Sequence, residues 1–195
     1  MKVIGLTGSI GSGKSTVGKV MEQKFSVKLL MTDDIGHKLM EKGQSCYMEI
    51  VSVFGHDILD KDENINRNAL GQIVFHDESK LQVLNGVIHP KVTAYLIDDI
   101  KLEKERMQYD YYVIESAILF QSGLNEICDE CWYVDAKEEI RRKRLIENRG
   151  YREEKIDSIM EAQRENHKYK TICHQNIDNN YGTEDIYGQL EKLLV

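Results

Sequence analysis

The sequence lacks long apolar runs, an excess of positive charge and a large number of cysteines. No stretch of its 195 residues approaches the roughly 20 apolar residues of a membrane-spanning helix, and no signal-peptide apolar region is present at the N-terminus. The formal net charge of −7 argues against general nucleic-acid binding, which needs a basic surface to neutralise phosphates. We therefore expect a cytoplasmic protein that binds neither nucleic acid nor membrane.

Only two of the four cysteines, Cys128 and Cys131, form a C-x-x-C pair, and no second pair follows at zinc-finger spacing. Cys173 and His174 could in principle complete a metal site. Because thiols stay reduced in the cytosol, reduced cysteines are the simpler interpretation.

The amino-acid composition of the chain is that of an ordinary globular protein. Hydrophobic residues make up 41% of the chain and charged residues 30%. A chain of this length is expected to form one domain with a sizeable buried core. We found no internal repeat, low-complexity segment or flexible linker.

Residues 8–15, Gly-Ser-Ile-Gly-Ser-Gly-Lys-Ser, match the phosphate-binding pattern G-x-x-x-x-G-K-[ST] at every specified position. The glycines let the backbone bring its N–H groups close to phosphate oxygens, and the following helix directs its positive dipole end at the same anion. Lys14 is expected to reach the β- and γ-phosphates, and Ser15 to offer a hydroxyl to Mg²⁺. The candidate ATP-binding residues here are Gly8, Gly11, Ser12, Gly13, Lys14, Ser15 and Thr16.

Strand-like runs alternate with helical patterns along the chain, which is typical of an α/β fold with a parallel sheet flanked by helices. Five strands are predicted, around residues 3–6, 27–31, 111–115, 132–135 and 177. Helical patterns cover about 34–42, 45–54, 137–148 and 152–170, with a closing helix near the C-terminus. Residues 78–108 are mostly helical by pattern, with a predicted interruption at His89-Pro90. Because Pro90 is the only proline, we expect the interruption to be a defined kink or a helix start.

Acidic residues follow two of the predicted strands, Asp33 and Asp34 after the second and Glu115 after the third. Ligands of open parallel sheets bind outside the carboxyl ends of the strands, so these residues are expected near the phosphates. Asp33 could accept or orient the proton of an acceptor hydroxyl, or cap the following helix, with Asp34 as the alternative cap. Glu115 could hold Mg²⁺ through water or form a structural pair. The sequence leaves these alternatives open.

Six basic residues lie in the stretch 141–152. Such a run is usually a solvated helix face, and the i,i+4 pair Glu138–Arg142 fits that interpretation. A phosphate-binding loop with carboxylates beside it suits phosphoryl transfer. A kinase needs cations that close over the transferring phosphoryl group, so at least one arginine here is expected to do so. The pattern alone does not select which.

The chain resembles the dephospho-CoA kinase family over essentially all of its length. The segments that carry the resemblance are 4–16, Asp33, 55–59, 66–70 with 73–75, and 84–90. The phosphate-binding loop is generic, whereas the Asn-Arg-Asn-Ala-Leu segment and the Leu-Asn…His-Pro segment at this spacing are more diagnostic.

The resemblance implies a P-loop kinase core that catalyses ATP-dependent phosphorylation of the ribose 3′-hydroxyl of dephospho-coenzyme A. We expect the cofactor to be Mg²⁺ and the protein to be a monomer or a small homo-oligomer. It implies a core of about 1–31, 109–137 and 171–195, a helical acceptor-binding part of about 32–108 and a lid of about 138–170. The implied residue roles are Asp33 as catalytic base, Arg144 as a lid arginine near the phosphates, Arg67 and His89 on the acceptor side, and Asn179 at the nucleotide. The second lid arginine of the family falls at Asn148, and Arg149, one place on, could substitute for it on the substrate side.

The sequence departs from the family pattern at several positions. Met31 replaces an acidic residue, Ala117 a proline, Gln121 a carboxylate and Asn148 an arginine, while Cys173-His174 replaces Ala-Asp. These changes allow two alternatives, another small-molecule or nucleotide kinase, or an ATP-binding protein without transferase activity. The absence of a Gly-Gly pair argues against shikimate kinase, and the absence of Asn-Lys-x-Asp argues against a GTPase.

Overall fold

The computed structural model describes residues 1–75 and 77–195, apart from the side chains of residues 165 and 167. The described chain forms two compact units, one of Met1–Met31 with Glu103–Val195 and the other of Thr32–Leu102. In chain order the strands and α-helices are β1 (Lys2–Thr7), α1 (Lys14–Lys24), β2 (Val27–Met31), α2 (Thr32–Leu39), α3 (Tyr47–Phe54), α4 (Arg67–Phe75), α5 (Glu78–Arg106), β3 (Tyr111–Glu115), β4 (Glu130–Asp135), α6 (Glu138–Arg149), α7 (Glu153–Ala162), α8 (His167–Ile172), β5 (Gln175–Asp178) and α9 (Thr183–Leu194).

The first unit is built on a five-stranded parallel sheet with the strand order β2-β3-β1-β4-β5. The predicted α/β fold with a parallel five-stranded sheet flanked by helices is thereby confirmed. Strand β1 lies at the centre, and its residues Val3, Ile4 and Leu6 are buried, as expected for a strand covered on both faces. This central strand delivers the phosphate-binding loop.

The apolar core of the first unit joins the sheet to α1 and α9. Val17 and Met21 of α1, and Ile186 and Leu190 of α9, are fully buried in one cluster with Trp132. The 3.6-residue spacing of these side chains places them on one face of each helix. The cluster fixes α1, and hence the end of the phosphate-binding loop, against the sheet.

The second unit is helical, and Asn66 caps the start of α4. Asn66 Oδ1 accepts hydrogen bonds from the backbone N–H groups of Asn68 at 3.1 Å and Ala69 at 3.2 Å. These bonds satisfy N–H groups that have no partner within the helix. Arg67 therefore lies in the first turn of a well-defined helix.

The predicted interruption at His89-Pro90 is wrong, because α5 continues through Pro90 as one helix of 29 residues. Proline removes one backbone hydrogen bond, which normally kinks or ends a helix. Here Val87 on one side and Val92 and Leu96 on the other are buried, so the apolar stripe is continuous across the proline. Burial of this stripe outweighs the missing bond.

The predicted helix over 152–170 is divided in the structure. Helix α7 ends at Ala162, a 3₁₀ turn covers Arg164–Asn166, and α8 begins at His167. In the described part of the chain, no helix combines the length and the apolar character needed to cross a membrane.

Candidate active site

The phosphate-binding loop connects β1 to α1 and ends at Gly13, immediately before the first residue of α1. Gly13 has φ +88°, a left-handed conformation, and a β-carbon there would lie 2.1 Å from Asn179 Nδ2. The position therefore requires glycine on two counts, conformation and space. Because glycine has no side chain, it leaves the backbone N–H groups at the positive end of α1 accessible to an anion.

Lys14 is buried beside the start of the loop, with 8% of its surface exposed. Its ammonium donates to the carbonyl oxygens of Gly8 at 3.0 Å and Ser9 at 3.5 Å. A β-carbon at Gly8 would lie 2.4 Å from the carbonyl oxygen of Val134, so the loop passes very close to β4. This packing holds the loop in a tight curve around the lysine.

Arg144 and Asn179 hold the loop from the side of α6 and β5. The Arg144 guanidinium donates to the carbonyl of Ser12 at 3.2 Å and to that of Asn179 at 2.8 Å. Asn179 Nδ2 also donates to the Ser12 carbonyl, at 2.7 Å. Burial lowers the pKa of Arg144, but an arginine remains charged throughout the physiological range. A permanent positive charge is therefore fixed against the loop.

Ser12 and Thr16 differ in their surroundings. Ser12 is 1% exposed, and its hydroxyl oxygen has no hydrogen-bond partner among the described residues. Thr16 is exposed in the first turn of α1. Together with the glycine cradle, these positions fit a bound polyphosphate.

Ser15 and Glu115 are brought together from distant parts of the sequence. Glu115 ends β3 beside Leu6 of β1, and Ser15 Oγ donates to Glu115 Oε2 at 3.1 Å. A hydroxyl and a carboxylate are both oxygen ligands of the kind that Mg²⁺ takes, usually alongside water and substrate phosphates. The pair fits the predicted magnesium site.

The structure separates the roles of the basic residues in α6. Arg142 forms ion pairs with Glu138 at 2.9 Å, Glu153 at 3.0 Å and Asp157 at 2.6 Å, which confirms the predicted Glu138–Arg142 pair. Arg149 is exposed at the end of α6. Arg142 therefore links α6 to α7, whereas Arg144 faces the loop.

Three contacts of the loop were not predicted from the sequence. Ser9 Oγ lies 3.0 Å from the hydroxyl of Tyr133, Arg141 donates to the Ile10 carbonyl at 3.5 Å, and Gln163 accepts from the Ile10 N–H at 2.8 Å. Arg141 was one of six basic residues with nothing to distinguish it. Gln163 carried no sequence signal, since a single glutamine in a polar helix is unremarkable.

The remaining predicted site residues, Asp33, Arg67 and His89, belong to the second unit. Asp33 and Asp34 are exposed in the first turn of α2, which begins at Thr32, so neither precedes the helix as its N-cap. Arg67 is exposed at the start of α4, and burial lowers the pKa of the half-buried His89 in α5.

A cavity of about 530 Å³ lies within the second unit. Its walls combine basic, amide and apolar groups, including Arg67. The lining residues are His37, Met40, Asn66, Arg67, Asn68, Leu70, Gly71 and Leu84. His89 is not among them, so Arg67 is the one of these two predicted acceptor-side residues that lines this cavity.

The departures from the family pattern have their own contacts. Gln121 Nε2 donates to Asn166 Oδ1 at 3.1 Å, and His174 Nδ1 accepts from the Cys131 N–H at 3.0 Å. Met31 ends β2 opposite Glu115. The amide at 121 and the imidazole at 174 are thus part of the hydrogen bonding of the first unit.

Comparisons with known proteins agree with this architecture. The family model described as dephospho-CoA kinase matches residues 2–185. A protein named dephospho-CoA kinase from Fusobacterium nucleatum is 37% identical over 190 residues, which cover 97% of this chain and 95% of that protein. A crystal structure from Thermus thermophilus superposes with a TM-score of 0.82 at 26% identity, covering 99% of this chain and 96% of the other. A dephospho-CoA kinase from Campylobacter jejuni shares the fold with a TM-score of 0.71 at 23% identity, covering 99% and 96%.

Proposed function

Because this chain belongs to the dephospho-CoA kinase family, we propose that it transfers the γ-phosphoryl group of ATP to the ribose 3′-hydroxyl of dephospho-coenzyme A. The products are ADP and coenzyme A, and the reaction is the last step of coenzyme A biosynthesis. The observation that carries the proposal is a complete phosphate-binding loop in a chain that matches this family over residues 2–185.

ATP binds through the loop and the start of α1. The backbone N–H groups around Gly11 and Gly13 and the first turn of α1, with Ser15 and Thr16, cradle the phosphates. Lys14 leaves its carbonyl contacts in part to stabilise the charge that develops as the γ-phosphoryl group moves. Arg144 adds a fixed positive charge, and its contact with Asn179 supports a role for both residues at the nucleotide.

Mg²⁺ bound with ATP would neutralise charge on the phosphate oxygens. The residues that would hold it are Ser15 and Glu115, which supply a hydroxyl and a carboxylate at one place. The hydrogen bond from Ser15 Oγ to Glu115 Oε2 keeps both groups oriented.

The acceptor is bound by the second unit. We assign Asp33 as the base that accepts the proton of the 3′-hydroxyl; its position two residues after β2 supports this role. Arg67 presents a guanidinium in the wall of the 530 Å³ cavity, which suits the anionic diphosphate of dephospho-coenzyme A. His89 and Arg149 complete the set of proposed acceptor-side residues.

The domain roles follow from these assignments. We propose that the second unit, with the helices of about 32–108, is the acceptor-binding part, and that the stretch of about 138–170 is the lid. The protein would work in the cytoplasm, as a monomer or small homo-oligomer. The four free cysteines suit a reducing compartment.

The test is an acceptor panel. The protein is incubated with ATP and Mg²⁺ and with dephospho-coenzyme A, shikimate or a nucleoside monophosphate in separate reactions, and phosphorylated products are identified by mass spectrometry. The proposal predicts coenzyme A and no other product. Transfer to another acceptor but not to dephospho-coenzyme A would contradict it.

A further inference from the structure

The C-terminal end of α7 is tied directly to the phosphate-binding loop. Gln163 follows the last residue of α7, and its Oε1 accepts a hydrogen bond of 2.8 Å from the backbone N–H of Ile10. Ile10 occupies one of the variable positions of the motif, and Gln163 is half-buried. The bond joins two segments that are 153 residues apart.

Both polar groups of the Ile10 backbone are held by the stretch that contains α6 and α7. Gln163 accepts from the N–H, and Arg141 donates to the carbonyl oxygen at 3.5 Å. Since its N–H is already bonded to Gln163, Ile10 does not offer that group to phosphate in this conformation. The contact therefore anchors the loop to the helices, unlike the glycine cradle at the start of α1.

A second hydrogen bond fixes the other end of the same short turn. Asn166 is 8% exposed, and its Oδ1 accepts from Gln121 Nε2 at 3.1 Å in the segment after β3. Phe120 and Tyr169 stack nearby, with ring centroids 4.4 Å apart and planes at 4°. Residues 163–166 are thus attached both to the loop after β1 and to the segment after β3.

Charged side chains of both signs line a cavity of about 450 Å³ beside the Gln163 contact. Its walls include the arginines Arg141, Arg142 and Arg164 and the carboxylates Glu138, Asp157 and Glu161. Any movement of α7 relative to the loop would change the position of these cations. Gln163 is a neutral hydrogen-bonding group among these charges, and it contacts the Ile10 N–H directly.

We propose that Gln163 is a positioning residue that couples the 138–170 stretch to the phosphate-binding loop and so keeps water from the transferring phosphoryl group. The inference rests on the proposed kinase function. In the coupled reaction, the bond from the γ-phosphorus to the β,γ-bridging oxygen breaks and a bond to the acceptor hydroxyl oxygen forms, while the hydroxyl proton is released. When coupling fails, a water oxygen takes the place of the acceptor and ATP yields ADP and inorganic phosphate.

The test compares Gln163→Leu with the wild type in reactions containing ATP, Mg²⁺ and dephospho-coenzyme A. Inorganic phosphate and coenzyme A are quantified in the same sample, and the ratio of phosphate to coenzyme A reports hydrolysis relative to transfer. Leucine is similar in size but cannot accept from the Ile10 N–H. We expect the ratio of inorganic phosphate to coenzyme A to rise about fivefold, the factor expected for one net hydrogen bond.

Gln163→Glu is the conservative variant, because a carboxylate oxygen can still accept from the Ile10 N–H. It should restore the ratio even if its negative charge raises the KM for ATP. Gln23→Leu, at an exposed glutamine of α1, is the matched control and should leave the ratio unchanged. Gln163→Ala serves as a second test variant if the leucine variant misfolds.

An unchanged ratio in Gln163→Leu, even with both rates lowered together, would mean that the residue is only structural and would overturn the inference. A glutamate variant as uncoupled as the leucine variant would also overturn it. A wild-type protein that forms no coenzyme A would instead overturn the proposed function, and the inference with it.

Discussion

At the scale of single residues, the chemistry depends on charges that the fold holds close to one loop. Lys14 is buried and bonded to carbonyl oxygens of the loop, and Arg144 is fixed between Ser12 and Asn179. Charges that are already oriented stabilise a transition state without reorganising during the reaction. Substitution of such residues should lower turnover far more than it lowers stability.

Replacing Lys14 with alanine should reduce kcat by about 10²–10³-fold, because it removes a cation where phosphoryl charge is rearranged. Steady-state coenzyme A formation measures the effect. Lys143→Ala is the control, since the Lys143 side chain is 72% exposed in α6. Near-normal turnover of the Lys14 variant would exclude the assigned role.

Replacing Asp33 with asparagine should lower the transfer rate by about 10²–10⁴-fold if the carboxylate acts as the base. Binding of ATP, measured by fluorescence titration in the absence of acceptor, should stay within about twofold, because Asp33 is assigned to the acceptor side. Asp34→Asn, the neighbouring exposed residue in the same turn, is the control. A small loss of rate with intact folding would assign Asp33 an orienting role instead.

His89 should make stability depend on pH. Burial lowers its pKa below the ordinary value of about 6.5, so the unfolded chain binds the proton more readily than the folded protein does. The stability contributed by neutral His89 is present above that ordinary pKa and is lost as pH falls through the lower pKa of the folded protein. Between pH 7 and pH 5, we expect the urea concentration at the midpoint of unfolding to fall less for His89→Gln than for the wild type. An equal fall in both proteins would contradict this.

At the scale of secondary-structure elements, α5 shows how packing overrides a local signal. Leu96 is fully buried in this helix, whereas Leu102 in the same helix is 42% exposed. Proline predicts a break in isolation, but a continuous buried stripe stabilises the helix across it. The buried stripe, rather than intrinsic helix propensity, should therefore dominate the stability of α5.

Leu96→Ala should lower the free energy of unfolding by about 2–5 kcal/mol, through lost burial and the cavity left behind. Leu102→Ala, the matched exposed position, should change it by less than about 1 kcal/mol. Urea denaturation followed by circular dichroism measures both. Equal effects of the two substitutions would show that the stripe does not stabilise the helix.

At the scale of the whole molecule, the sequence alone predicts those features of the fold that depend on local or periodic patterns of residues. The loop between a strand and a helix and the strand–helix alternation of a parallel sheet are each encoded in short stretches of sequence, and the structure confirms both. The strand order depends on pairing between strands that are distant in the sequence, and the contacts of Gln163 and Arg141 with Ile10 join residues more than 120 positions apart. No local pattern encodes such pairs, so the sequence could not distinguish these residues from other polar ones in the same helices.

The most direct test of the proposed kinase activity is the ³¹P NMR spectrum of the product formed from ATP and dephospho-coenzyme A. We expect a new phosphate monoester at the ribose 3′ position, formed by the wild type and not at a comparable rate by Lys14→Ala. Phosphate at another position, or ADP and inorganic phosphate as the only products, would contradict it.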